Sequence, residues 1–140
     1  MKYYIATSLK RIKAHNMVRD ALNKLGHEIT YDWTKHGNVK NTSISRLKEV
    51  AHSEINGVKE ATFIVVLLPG GIGTHTELGA SIAYNKIIFL HSLDEKVFQH
   101  GEEFAFAFYH HNQVTRINCS LENLAISIDQ ILITQNLIIS

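Results

Sequence analysis

The chain has 140 residues, 45% of them hydrophobic, which suits one globular domain with an apolar core and is too little for two. Fourteen basic against thirteen acidic side chains leave a net charge of +1, with no long block of either sign, so binding to a nucleic acid polymer has no electrostatic footing. A single cysteine, Cys119, excludes disulfide frameworks, cysteine-rich zinc sites and CxxC redox chemistry, and fits a reducing compartment.

Met1 to Ala6 goes straight into a strand-like run without the charged, apolar and small-residue order of a secretory leader, and no apolar run is long enough to span a bilayer. A cytoplasmic location and no membrane partner are expected. The first strand is Lys2 to Ala6. Ser8 is placed to cap a helix running to about Leu25, whose apolar positions Met17, Ala21 and Leu25, with Val18 and Leu22 beside them, recur at helical spacing. Gly26 ends it. Glu28 to Tyr31 reads as a short second strand, and Asp32 to Asn38 as a polar, aromatic loop of the kind that carries function.

A second helix is expected to start after Thr42 or Ser43 and reach about Glu60, with Ile44, Leu47, Val50 or Ala51, Ile55 and Val58 as its buried stripe. Thr62 to Leu68 is apolar without alternation, as a central strand covered on both faces should be, and Pro69 stops it. A third helix follows from Thr74 or His75 to Tyr84, then a strand from Ile87 to His91. Leu93 to Asn112 shows no clear period. Val114 to Asn118 reads as a last strand, and Ser120 as the cap of a helix with Leu121, Leu124, Ile128, Ile131 and Leu132 on one side. The alternation predicts an α/β class: a single Rossmann-like three-layer domain over residues 1–140, with a mainly parallel sheet of about five strands flanked by helices.

In open α/β sheets ligands bind beyond the carboxyl ends of the strands, which directs attention to the turn after the central strand. Gly70, Gly71 and Gly73 let a ligand approach the backbone and allow positive φ. The unpaired N–H groups at the start of the next helix favour an anionic or electron-rich group. Glu77 follows within about one turn, where the helix dipole should help to keep it ionised. The turn lacks the Gly-Lys-Ser/Thr ending of a P-loop and the GxGxxG spacing of dinucleotide sites. His75-Thr76-Glu77 has the H-x-E shape of zinc deaminases but no PCxxC partner, so no metal and no cofactor are expected. The same turn also serves as a plain strand-to-helix connection. Tyr4 reads first as a core residue, Glu54 as solvated helix surface, and Tyr31 and Trp33 as either base-stacking rings or caps over the core.

Taken together, Tyr4-Ile5-Ala6-Thr7-Ser8, Ser53-Glu54-Ile55-Asn56-Gly57-Val58, the apolar central strand and the glycine turn closing in Glu77-Leu78-Gly79 resemble the nucleoside 2-deoxyribosyltransferase family over about the first ninety residues. The likeness extends to short bacterial members sharing Tyr31-Asp32-Trp33-Thr34 and to the related 2'-deoxynucleoside 5'-phosphate N-hydrolases. The resemblance implies an enzyme, a transferase or hydrolase, in which a glutamate attacks the anomeric carbon while a first-strand tyrosine and a second-helix acid orient it. Those positions fall on Glu77, Tyr4 and Glu54. A phosphate would lie against Ser8, Gly73 and Thr74, with Lys10 or Arg11 nearby, and Gly70, Gly71 and Trp33 complete the expected substrate site. It also implies a homodimer or higher homo-oligomer, with Tyr109 and His110, in the Phe104 to Asn112 stretch, contributed by a neighbouring subunit.

Two departures stand out. The helix acid is aspartate in the transferases and N-hydrolases but Glu54 here, and the acid that transferases place before the glycine turn has no counterpart at Pro69 to Ile72, which leaves the base open. The turn equally resembles that of phosphoribohydrolases releasing cytokinin bases, though their upstream arginine-lysine signature is missing. The expected function is N-glycosidic cleavage or transfer on a nucleoside or nucleoside 5'-monophosphate. The alternative is a non-catalytic module that senses or sequesters a nucleotide metabolite in the same pocket.

Overall fold

Phe63-Ile64-Val65-Val66-Leu67 is buried at every residue and pairs in parallel with a strand on each side, which is why its hydrophobic run does not alternate. The computed structural model describes residues 1–101, 103 and 106–138. Among these, the strands β1 (Lys2–Ala6), β2 (Glu28–Ile29), β3 (Phe63–Leu67), β4 (Ile87–His91) and β5 (Val114–Ile117) form one parallel sheet in the order β2-β1-β3-β4-β5. The helices are α1 (Ile12–Lys24), α2 (Ile44–Glu60), α3 (Ile72–Ala83) and α4 (Leu121–Thr134). The expected three-layer α/β fold is therefore present.

Neighbouring strand residues face opposite layers. Tyr3, Ile5, Phe63, Val65, Leu67 and Phe89 pack with Val18 and Leu22 of α1 and Leu124, Ile128 and Leu132 of α4. Tyr4, Ala6, Ile64, Val66, Ile88 and Leu90 pack with Val58 of α2 and Leu78 of α3. Tyr3 and Tyr4 are thus sent to different cores. The Tyr3 hydroxyl donates to Asn23 Oδ1 at 2.7 Å, whereas the Tyr4 hydroxyl is buried without a partner among the described residues.

Several boundaries and stripes differ from expectation. The segment after Ser8 begins as a 3-10 turn, Leu9–Arg11, and becomes α-helical only at Ile12. In α1 the row Ala14, Val18 and Leu22 faces the sheet, while Met17 and Leu25 are 46% and 41% exposed. The i, i+4 row, not its flank, meets the strands. β2 ends at Ile29, two residues early, and β5 at Ile117, one residue early. In α2, Ser43 caps as expected by accepting the Arg46 N–H at 3.0 Å, but burial is confined to Val50, Gly57 and Val58. Ile44 and Leu47, expected in the stripe, are exposed because, among the described residues, no layer covers the first turns of α2. The unreadable stretch after β4 holds two short 3-10 turns, Glu95–Phe98 and Ala107–His110. Phe104 and Ala105, at the start of the expected subunit-contact stretch, lie outside the described residues.

Candidate active site

From β1 the chain turns outward to β2, and from β3 it turns the other way to β4, so the two connections diverge and leave a crevice at the carboxyl ends of β1 and β3. A cavity of about 370 Å³ occupies it. Thr7 and Ser8 line it from β1, Gly71, Gly73, Thr74 and Glu77 from the turn and α3, Glu54 from α2, and Trp33, His36 and Lys40 from the loop after β2. Four separate parts of the chain converge on a crevice that holds two carboxyl groups, Glu54 and Glu77.

The glycine turn works by space, not by unusual backbone angles. None of Gly70, Gly71 and Gly73 uses the positive φ open to it; the glycines that do among the described residues are Gly26, Gly37 and Gly101. A Cβ on Gly70 would come within 2.4 Å of Thr74 Cγ2, so only glycine lets the turn fold against the helix. Gly71 and Gly73 face open space and line the cavity, while Gly70 lies behind the turn. Thr74 Oγ1 accepts the Gly71 N–H at 3.2 Å, and the His75 Nδ1–H donates to the Gly71 carbonyl at 2.8 Å. The helix therefore starts at Ile72, two residues earlier than expected, and Glu77 falls in its second turn.

That shift changes the electrostatics of Glu77. A helix dipole favours an ionised carboxylate by about 0.3–1 kcal/mol and fades beyond the first turn. Glu77 is 8% exposed, and burial drives its pKa from 4.5 to about 8, a cost on the order of 5 kcal/mol for the ionised form. Burial wins, and the expectation of an ionised Glu77 is corrected: with its pKa raised to about 8, the protonated form is favoured at neutral pH. The Tyr4 hydroxyl pulls the other way and the Glu54 charge adds to the rise. Tyr4 faces Glu77 closely enough to favour its ionised form, although among the described residues neither Tyr4 Oη nor Glu77 Oε2, both buried, has a partner at full hydrogen-bond geometry. The tyrosine is itself held well above its ordinary pKa, by burial first and then by Glu77 and Glu54.

Glu54 is half-buried and lines the cavity, not the solvated helix face. Its carboxyl is raised by burial, and His36 opposes the rise. His36 Nε2 stands 3.6 Å from Glu54 Oε1 and is buried without a hydrogen bond. Sequence reasoning reached the loop but passed over His36, whose only signal was its place in an aromatic, turn-rich segment. Asp32 and Trp33 fasten that loop: Arg19 donates to Asp32 Oδ2 at 2.7 Å, and Trp33 Nε1 donates to the Ile5 carbonyl at 2.8 Å. Burial works to raise the Asp32 carboxyl, but hydrogen bonds from Thr34 and Arg19 outweigh it and hold it below the usual range.

Of the expected site residues, the fold brings Tyr4, Ser8, Trp33, Glu54, Gly71, Gly73, Thr74 and Glu77 to this crevice. Lys10 is exposed on the 3-10 turn and does not line the cavity, whereas Lys40 does. Arg11 donates to the Leu68 carbonyl at 2.6 Å on the far side of the turn. Tyr109 binds His75 Nε2 of its own chain at 2.7 Å, also on the far side, and His110 is exposed. A larger, open hollow of about 760 Å³ beside α3 is lined by Ile72, His75, Phe106 and Phe108 and, among the described residues, has no carboxylate. Among the described residues no cluster of three or more His, Cys, Asp or Glu side chains forms a metal site, and no helix is long and apolar enough to cross a membrane.

No family model matches the chain, and no curated protein matches it in sequence. Solved structures do. The CMP N-glycosidase of Clostridium botulinum superposes with a TM-score of 0.63 at 16% identity, covering 92% of this chain and 99% of that one. The 2-deoxyribosyltransferase of Bacillus psychrosaccharolyticus superposes with a TM-score of 0.68 at 19% identity, covering 89% of this chain and 90% of that one. The chain therefore has the fold of a 2-deoxyribosyltransferase and of a CMP N-glycosidase, in agreement with the family likeness carried by its sequence.

Proposed function

We propose that this protein cleaves or transfers the N-glycosidic bond of a nucleoside or nucleoside 5'-monophosphate, with Glu77 attacking the anomeric carbon. The observation that carries this is the buried Glu77 carboxyl facing the Tyr4 hydroxyl, its Oε2 without a hydrogen-bond partner among the described residues, with Glu54 in the same crevice. Glycosidic cleavage develops positive charge on the sugar. An ionised Glu77 is costly in its buried position and is stabilised when that charge forms beside it, so the site favours the transition state over the free enzyme. Tyr4 orients the attacking oxygen, and Glu54 delivers a proton to the departing base. Ser8, Thr74 and the first turn of α3 suit a 5'-phosphate, with Trp33 beside the base. The shared fold of the N-glycosidase and the transferase supports the reading.

The test is a panel of nucleosides and 5'-monophosphates, with base release or exchange followed by chromatography. Turnover that Glu77→Ala abolishes is expected; no turnover on any member, with Glu77→Ala indistinguishable from wild type, refutes it. The raised Glu77 carboxyl, protonated at neutral pH, favours a second reading, a binding module that holds an unchanged nucleotide metabolite by hydrogen bonds. Tight calorimetric binding without turnover identifies that case.

Self-association belongs to the same proposal. Ile72, at the mouth of the cavity, is 91% exposed, and Ile44, Leu47 and Phe108 are also exposed. Apolar surface of this kind suits a second copy. Light scattering showing a monomer at micromolar concentration counts against it.

A further inference from the structure

The geometry points to His36 as the partner of Glu54 in a proton-sharing pair that supplies the leaving base with its proton, an inference that rests on the glycosidase reading above. His36 lies on the loop after β2 and Glu54 on α2, and both line the cavity that holds Glu77. His36 Nδ1 is 2.9 Å from the Gly37 carbonyl, which can only accept, so Nδ1 carries a hydrogen. The other nitrogen, Nε2, is the one free to gain or lose a proton. It is buried, has no hydrogen-bond partner among the described residues, and stands 3.6 Å from Glu54 Oε1. Tyr31 lies beside the ring, its ring centroid 6.0 Å away and tilted by 32°.

One proton held between Nε2 and the Glu54 carboxyl has two effects. It leaves an acid at the cavity wall, and it removes the net negative charge of Glu54 that otherwise opposes ionisation of Glu77. In the first step the glycosidic electron pair leaves with the base nitrogen, which takes the proton from the pair, while a Glu77 carboxylate oxygen bonds to the anomeric carbon. In the second step water attacks that carbon, its proton returns to the pair, and Glu77 leaves as carboxylate. The sum is nucleotide plus water giving base plus sugar phosphate. The longer side chain of Glu54, where the transferases have aspartate, suits this reach across to His36. The other titratable groups within electrostatic reach of Glu54 are Tyr4, Tyr31 and Glu77, and Lys40 lines the same cavity.

His36 acts through Glu54, so its test needs readouts that a structural role leaves unmoved. In the unliganded protein, a carboxyl-carbon NMR titration should show Glu54 titrating at higher pH in His36→Gln than in wild type, because His36 holds that carboxyl down. An unchanged midpoint overturns the pair. This arm needs no turnover, so it is decided separately from the glycosidase reading. In the kinetic arm, His36→Gln should lose about 10²- to 10⁴-fold in kcat on 2'-deoxyuridine 5'-monophosphate with KM little changed. On the 5-fluoro analogue, whose base departs more readily without an acid, the loss should be far smaller, and added imidazole should restore part of it. Equal losses on both compounds, or none on either, overturn the proposal. A wild-type protein that turns over neither compound counts against the glycosidase reading, and the Glu54 titration then decides the pair.

Discussion

Replacing Glu77 by glutamine should uncouple the stability of this protein from pH. The folded chain keeps the Glu77 proton up to about pH 8, whereas an unperturbed glutamate releases it near 4.5. Between those values the unfolded state binds fewer protons than the folded state, so wild-type stability falls as pH rises and levels off above about 8. Roughly three and a half pH units at about 1.4 kcal/mol each give a loss of about 5 kcal/mol, a large part of the 5–15 kcal/mol typical of a domain. Water entering the open cavity lessens the loss without changing its sign. Glu77→Gln keeps the shape and removes the titration. Urea unfolding at several pH values should therefore show the variant gaining on wild type steadily from pH 5 to 8, by several kcal/mol in all. Parallel curves would mean that Glu77 is solvated and ionised in the folded protein, and the whole electrostatic account of the crevice would fail.

Three further outcomes are expected. Because the attacking form of Glu77 is ionised, kcat/KM should climb nearly tenfold per pH unit through neutrality and flatten near 8; a flat profile from pH 6 to 8 assigns the nucleophile elsewhere. Tyr4→Phe removes a buried hydroxyl with no partner, so the melting temperature should hold or rise slightly, while activity at pH 7 drops because Glu77 loses the group that favours its ionised form. A clear loss of stability would show that the hydroxyl is satisfied after all. Gly57→Ala would set a Cβ 2.8 Å from Tyr31 Cβ and 2.9 Å from Tyr4 Cδ2, so a destabilisation of about 1–3 kcal/mol by chemical denaturation is expected, with activity reduced through the displaced Tyr4. A neutral result there would show that α2 can move away from β1.

The periodic apolar pattern alone determined the element order, the central position of β3 and the crevice after it, because burial on both faces leaves no room for alternation and a strand-turn-helix junction exposes helix N–H groups. The motif likeness pointed to Glu77, Tyr4 and Glu54, and the fold brings all three together. Only the tertiary structure decided what these groups are. Tyr3 and Tyr4 are adjacent and alike in sequence, yet strand pleating sends one hydroxyl to Asn23 and leaves the other unpartnered before Glu77. Position in a helix suggested an ionised Glu77, but desolvation depends on what packs around it, and that comes from β1, β3 and α2 at once. His36 lies eighteen residues before Glu54, and nothing in that spacing announces a pair; the contact exists because Trp33 and Asp32 fasten the loop onto β1 and α1. Local sequence specifies elements through nearby contacts, whereas the protonation of a buried group is set by distant parts of the chain that only folding brings together.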